Sequence, residues 1–212
     1  MKYIEAFSKR NKSLPFLFSY RRCPYAMRAR MVLIYANIDF ELIEISLKCK
    51  PPEMINFSPK GTVPVLIVDE QIIDESLDII EWVLNQKPTL KINTQSPQEK
   101  HTATEIIKEN DTNFKKALDA YKYSIQYPEK NIDQLFKKTT IFLDYLEFKL
   151  SKKNFLVNDH LTFVDIAVFP FVRQLVNVNK QRFFRLELKS VERWLNSLIY
   201  SDLFKRAMLK PY

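Results

Sequence analysis

The chain is poor in cysteine and histidine and has almost no glycine. Its two cysteines, Cys23 and Cys49, are too few to staple a 212-residue protein. In a reducing compartment, a lone cysteine beside special residues points to catalysis or simple burial rather than to a bridge. The two histidines, His101 and His160, lie far apart without ligand spacing. That argues against a zinc site and against a Cys-His catalytic pair, so no metal is expected. No apolar run approaches the ~18 residues that suggest a membrane span. Residues 1–14 carry Lys2, Lys9, Arg10 and Lys12 but no apolar stretch of the secretory kind. The expectation is a cytoplasmic protein with no membrane partner.

What is present is ordinary for a packed globular chain: 46% hydrophobic and 27% charged residues. The net charge of +8 is uneven. Residues 1–88 hold 12 basic and 11 acidic side chains, whereas residues 89–212 hold 21 and 14. The excess is spread along the second half as Lys115-Lys116, Lys137-Lys138 and Lys152-Lys153. Such pairs read as solvated helix faces. Nucleic-acid binding calls for a dense basic stripe with stacking aromatics, so no nucleic-acid partner is expected.

The first part alternates strand and helix patterns. Leu14 to Tyr20 is apolar and aromatic, as a buried strand should be. From Pro24 to Ile38 the spacing turns helical, with Ala29, Val32, Leu33 and Ala36 on one face. Phe40 to Ile45 reads as a second strand and Pro51 to Phe57 as a short helical turn. Val65–Val68 and Gln71–Ile73 flank Asp69-Glu70 as a hairpin, and a helix over 76–85 closes the unit. Gln86 to Pro97 holds two prolines and little periodicity, so it reads as a linker. Beyond it the pattern is helical. Ser96-Pro97-Gln98-Glu99 has the hydroxyl, proline and glutamate of a capped start to a helix running to about Tyr121. A second helix is expected over 131–151. Thr162 and Asp165 form the box of a third, with shorter helices over 188–198 and 202–208. The prediction is an α/β domain over 14–85, a linker over 86–97 and an all-α domain over 98–212.

The segment richest in chemistry is Arg21-Arg22-Cys23-Pro24-Tyr25-Ala26. It sets a cysteine between a buried strand and the N-terminus of a helix. Unpaired backbone N–H groups and the helix dipole favour a thiolate there, and Arg21, Arg22 and Arg28 add positive potential. A buried core cysteine would instead sit mid-element among apolar neighbours. Position 26 is Ala26, so this is no Cys-x-x-Cys dithiol. Cys23 needs an external thiol to complete a turnover, and Cys49 reads as an ordinary residue.

Cys23-Pro24-Tyr25-Ala26, Gly61-Thr62-Val63-Pro64-Val65-Leu66 and Asp74-Glu75-Ser76-Leu77-Asp78-Ile79 resemble the glutathione-site segments of omega-like bacterial glutathione transferases. They are also similar to two-domain glutaredoxins, apart from the missing second cysteine. Thr162-Phe163-Val164-Asp165-Ile166-Ala167 and Phe169-Pro170-Phe171-Val172-Arg173 resemble the C-terminal domain's capping box and the helix after it. The match runs from Leu14 onward. The resemblance implies a thioredoxin-like N-terminal domain, glutathione as co-substrate and a homodimer. It makes Val63-Pro64 a cis-proline turn whose Val63 backbone pairs with the cysteinyl part of glutathione, beside Tyr25. It gives Ser76 and nearby N–H groups the γ-glutamyl carboxylate, Glu75 the ammonium and Lys50 the glycyl carboxylate. Read by itself, Ser76 is a helix cap. Tyr121, Phe169 and Arg173 are candidates for lining a second-substrate pocket, near a helix that Pro170 should kink. The glycine-rich turn that often precedes the C-terminal box is replaced by residues 155–160, where Asn158 or Asp159 would take any positive φ.

The leading functional expectation is thiol exchange. Cys23 attacks a mixed disulfide or an oxidised small molecule, and glutathione releases the product. A conjugating transferase that activates glutathione against an electrophile is one alternative, with Tyr20 and Tyr25 as nearby hydroxyls. A non-catalytic interaction module resembling stringent starvation protein A is another.

Overall fold

The computed structural model describes residues 14–124 and 131–210. Its contacts divide the chain into two compact units. One runs through Leu90 and also takes in the segment that starts at Ser201; the other is Lys91–Tyr200.

The first unit is built on a four-stranded sheet of β1 (Phe16–Ser19), β2 (Glu41–Glu44), β3 (Val65–Val68) and β4 (Gln71–Ile73). The spatial order is β2-β1-β3-β4. β1 pairs parallel with β2, with Ser19 opposite Glu44, and antiparallel with β3, with Phe18 opposite Val65. All four residues of β1 are buried, which explains why it reads as a continuous apolar run rather than as alternation. Phe16, Phe18, Ile43, Met54, Val65 and Ile67 form one core cluster, against which Cys23 and Phe57 pack. The turn between β3 and β4 is Asp69-Glu70, with Asp69 at φ 52°, a conformation that aspartate tolerates.

Around the sheet stand α1 (Pro24–Tyr35), α2 (Pro52–Phe57), α3 (Ser76–Gln86) and, from the far end of the chain, α10 (Asp202–Ala207). Pro24 and Pro52 begin their helices, where a missing N–H costs nothing. α1 stops at Asn37, which takes φ 48°. The Ile38 and Asn37 N–H groups donate back to Leu33 and Ile34, so the ending is a Schellman motif with asparagine in the usual glycine position. Every residue from Ala26 to Leu33 is buried. The one-sided apolar stripe expected for this helix therefore understates its burial, because α3 and α10 both pack against it.

The second unit holds α4 (Pro97–Glu109), a π-helical turn (Asn110–Phe114), α5 (Lys115–Tyr123), α6 (Ile132–Leu150), α7 (Phe163–Val178), α8 (Lys180–Phe184) and α9 (Lys189–Ile199). The Ser96–Glu99 capping box forms as the sequence predicts. Part of the segment read as a linker is structural. Ile92 and Thr94 are buried, and the Ile92 carbonyl accepts from the Phe163 N–H at 2.9 Å.

Asp165 organises this unit beyond its expected box. Its carboxylate accepts from the Thr162 N–H and hydroxyl at 2.9 and 2.8 Å. It also accepts from the Leu156 N–H and the Trp194 indole, both at 2.9 Å. The turn over 155–160 forms without the positive φ expected of Asn158 or Asp159; among the described non-glycine residues, Asn37, Asp69 and Glu187 take one. Their side chains serve as acceptors instead. Asn158 accepts from the His160 N–H and Asp159 from the Asn154 N–H.

Among the described residues, no helix is long and apolar enough to cross a membrane.

Candidate functional site

The strand-to-helix junction sets Cys23 as the N-cap of α1, with φ −72° and ψ 124°. Its N–H donates to the Tyr20 carbonyl at 2.9 Å, and its own carbonyl accepts from Met27 at 2.9 Å. The turn is thus closed from both sides, and the half-buried sulfur stands at the positive end of a twelve-residue helix. The Cys23 thiol lies 3.6 Å from the Val63 carbonyl oxygen. Val63-Pro64 is a cis peptide bond, as the resemblance implies. Both residues are buried, and β3 begins directly after them.

The turn before Val63 explains the single glycine. Gly61 sits at φ 61°, and a Cβ there would come within 3.1 Å of the Ile55 side chain and 3.3 Å of Lys50 Nζ. A side chain is disfavoured on both counts. The same contact locates Lys50: exposed, with its ammonium beside Gly61.

At the start of α3 the roles differ from the sequence reading. Glu75 is the N-cap residue and makes no side-chain cap bond; Ser76 is the first helical residue. Ser76 is buried, and its hydroxyl accepts from the Arg28 guanidinium at 3.3 Å. The expected cap is therefore replaced by a link to α1. Arg28 is itself fully buried and lies over the Tyr25 ring, 5.5 Å from its centroid.

Glu75 is engaged too. Lys60 Nζ reaches its carboxylate at 2.8 Å and that of Asp74 at 3.1 Å. Asp74 also accepts from the Ser58 hydroxyl at 2.6 Å. That Ser58 bond, more than Lys60, holds Asp74 below the ordinary carboxylate range, while bonding to Glu75 and Asp74 raises Lys60.

Thus Cys23, Tyr25, Val63, Pro64, Glu75 and Ser76 all lie in the turns and first helical residues at one set of element ends within the first unit, with Lys50 at the adjoining turn. Sequence reasoning missed Lys60, Ser58 and Arg30. Lys60 stands in the quoted neighbourhood of Gly61 and had that one signal. Arg30 had none, since it reads as a solvent-facing helix residue.

The residues suggested for a second-substrate pocket fare differently. Tyr121 is buried against Phe136, with ring centroids 5.2 Å apart. Phe169 is fully buried, edge-on to Trp194. Both side chains pack in the core of the helical unit. Arg173 is half-buried, and burial lowers its pKa. Among the described residues, no group of His, Cys, Asp and Glu could hold a metal.

Residues 17–95 match the family description "Glutathione S-transferase, N-terminal domain", and residues 108–201 match "Glutathione S-transferase, C-terminal domain". Glutathione S-transferase F10 of Arabidopsis thaliana is 24% identical over 86% of this chain and 91% of its own length. Glutathione S-transferase omega-1 of Rattus norvegicus is 38% identical, over 40% of this chain and 35% of its own length. Among solved structures, a glutathione transferase from Pseudomonas putida, with one glutathione disulfide bound per subunit, superposes with a TM-score of 0.86. It is 16% identical and covers 99% of this chain and 97% of its own.

Proposed function

Since this chain belongs to the glutathione S-transferase family, we propose that it is an omega-like member that works by thiol exchange at Cys23. The observation that carries this reading is the sulfur itself, at a helix N-terminus and 3.6 Å from the carbonyl of the cis Val63-Pro64 turn. The 38% identity to a rat omega-1 protein over part of the chain favours the same subclass. Glutathione is the expected co-substrate, as the bound glutathione disulfide in the Pseudomonas putida relative suggests. Val63 meets its cysteinyl backbone and Tyr25 flanks it. Ser76 and the α3 N-terminus take the γ-glutamyl carboxylate, Glu75 the ammonium and Lys50 the glycyl carboxylate.

The exchange has two steps. The Cys23 thiolate attacks the glutathione sulfur of a mixed disulfide; a Cys23–glutathione bond forms and the substrate leaves as a thiolate. A second glutathione thiolate then attacks that bond, releasing glutathione disulfide and restoring Cys23. No thiol stands at Ala26 to resolve the intermediate internally, so the kinetics are ping-pong. The second substrate is a disulfide or an electrophilic small molecule. We further propose a cytoplasmic homodimer, to be checked by light scattering at micromolar concentration.

Oxidised glutathione should add one glutathione mass to the protein, mapped to Cys23. An internal Cys23–Cys49 disulfide would make Cys49 the resolving thiol and end the monothiol scheme. Full activity in Cys23→Ser, with turnover of an aryl halide, would return the chemistry to a hydroxyl and to conjugation.

A further inference from the structure

Arg30 is a fully charged side chain on α1 with 1% exposure, a costly placement unless every donor is used. Its donors are used, and their partners are unusual. Nε donates to the Ala207 carbonyl at the end of α10 at 2.8 Å. One terminal nitrogen donates to the Ser19 hydroxyl at the end of β1, with the Tyr20 carbonyl at 3.5 Å. The other donates to the Arg21 carbonyl at 2.7 Å, with the Met208 sulfur at 4.0 Å. Three consecutive residues leading into the cysteine turn, Ser19, Tyr20 and Arg21, are therefore gripped by one guanidinium that is held from behind by the last helix. The Tyr20 carbonyl it touches is the one that accepts from the Cys23 N–H.

From this geometry we propose that Arg30 is the positioning residue for the Cys23 chemistry. It locks the Ser19 hydroxyl and the Tyr20 and Arg21 carbonyls to α10 and keeps a buried cation within electrostatic reach of the sulfur. The proposal rests on Cys23 being the reactive group. A planar fork with several donors suits this task in a way that an ammonium does not.

The charges around the turn are few. Glu44, on β2, accepts from the Arg21 N–H at 2.8 Å, and its second carboxylate oxygen is buried without a hydrogen-bond partner. Arg21 and Arg22 flank the turn, with Arg22 bonded to the Tyr20 hydroxyl, and α1 adds Arg28 beside Tyr25. α10 offers Arg30 the Ala207 carbonyl and Met208 sulfur. Burial pushes Arg30 down to about 10, against the opposing pull of Glu44 first and then Cys23. Arg30 thus stays charged at neutral pH, and its interaction with Cys23 is mutual: the cation favours the thiolate.

The test follows alkylation of Cys23 by iodoacetamide against pH, in full-length protein carrying Cys49→Ser so that one thiol reports. The parent, Arg30→Met, Arg30→Lys and Phe204→Ala are compared; the last loosens α10 through a buried residue while leaving Arg30 intact. A parent midpoint below the ordinary thiol value of about 8.5 supports the reactive Cys23 reading; a midpoint at that value counts against that reading alone. The differences between variants judge Arg30. Arg30→Met should raise the midpoint by about one unit, slowing alkylation roughly tenfold at pH values well below both midpoints. Phe204→Ala should move it the same way by less, and Arg30→Lys should recover part of the loss. A folded Arg30→Met with an unmoved midpoint overturns the proposal. If Arg30→Met does not fold, an unmoved midpoint in Phe204→Ala overturns it equally.

Discussion

The Ser76 hydroxyl accepts a hydrogen bond from Arg28 at 3.3 Å, joining residues 48 positions apart with both side chains buried. A hydroxyl that accepts from a cation still has its own proton to donate, and the cation makes it the better donor. The first turn of α3 therefore carries a polarised O–H beside its N-terminal N–H groups, which suits a carboxylate.

The first prediction follows from that relationship. Ser76→Ala should weaken glutathione binding by about 1.5–3 kcal/mol, the worth of a hydrogen bond to a charged group. Lys50→Ala should do less, because Lys50 is an exposed, flexible point charge. Calorimetric titration with glutathione checks the order. An unchanged affinity in Ser76→Ala, with binding abolished in Lys50→Ala, would reverse the proposed orientation of the peptide.

Lys60 leads to a second expectation. Its ammonium sits on the Glu75 carboxylate, the group assigned to the γ-glutamyl ammonium, so ligand and lysine compete. Lys60→Ala should tighten glutathione binding modestly, by about threefold, as fits an exposed pair. Weaker binding instead would show Lys60 working with the ligand rather than against it.

Asp74 supplies a pH dependence. Its folded pKa lies below the ordinary 3.8 because Ser58 and then Lys60 bond the charged form. The linked stabilisation is therefore present above the unfolded value and fades as pH falls through the lower, folded value. The melting temperature of Asp74→Asn should trail the parent at pH 6, and the gap should close as pH drops below about 4. Ser58→Ala should shrink the same gap. A gap that widened in acid would contradict the sign.

Stability of the helical unit should depend on Asp165. Asp165→Ala leaves the Leu156 and Thr162 N–H groups and the Trp194 indole buried without this acceptor. At roughly 1–3 kcal/mol for each orphaned donor, the loss should be at least about 3 kcal/mol in urea unfolding. The Trp194 fluorescence should change with it. A loss under about 1 kcal/mol would mean that water or a rearranged turn replaces the carboxylate.

Much of this protein follows from short-range pattern. The β3–β4 hairpin, the proline-started helices, the Ser96–Glu99 box and the cysteine between strand and helix all depend on residues within four positions of one another. Steric preference and capping act at that range, so the order of residue types suffices to find them. The turn over 155–160 shows the limit even there, because several local solutions satisfy the same backbone.

Long-range partners were beyond the sequence. Arg28 reads only as positive potential near Cys23, and Arg30 as a solvent-facing residue on an amphipathic helix. The carbonyl that Arg30 binds lies 177 residues away, and no local pattern announces that α10 returns to cover it. The second and third tasks of Asp165, the Lys60 bridge to Glu75 and the burial of Phe169 have the same origin. Burial of a polar side chain is tolerated only where distant groups complete its hydrogen bonds. The chemistry-bearing residue types were therefore set by the sequence itself, and which of them share partners was decided only by the packed tertiary structure.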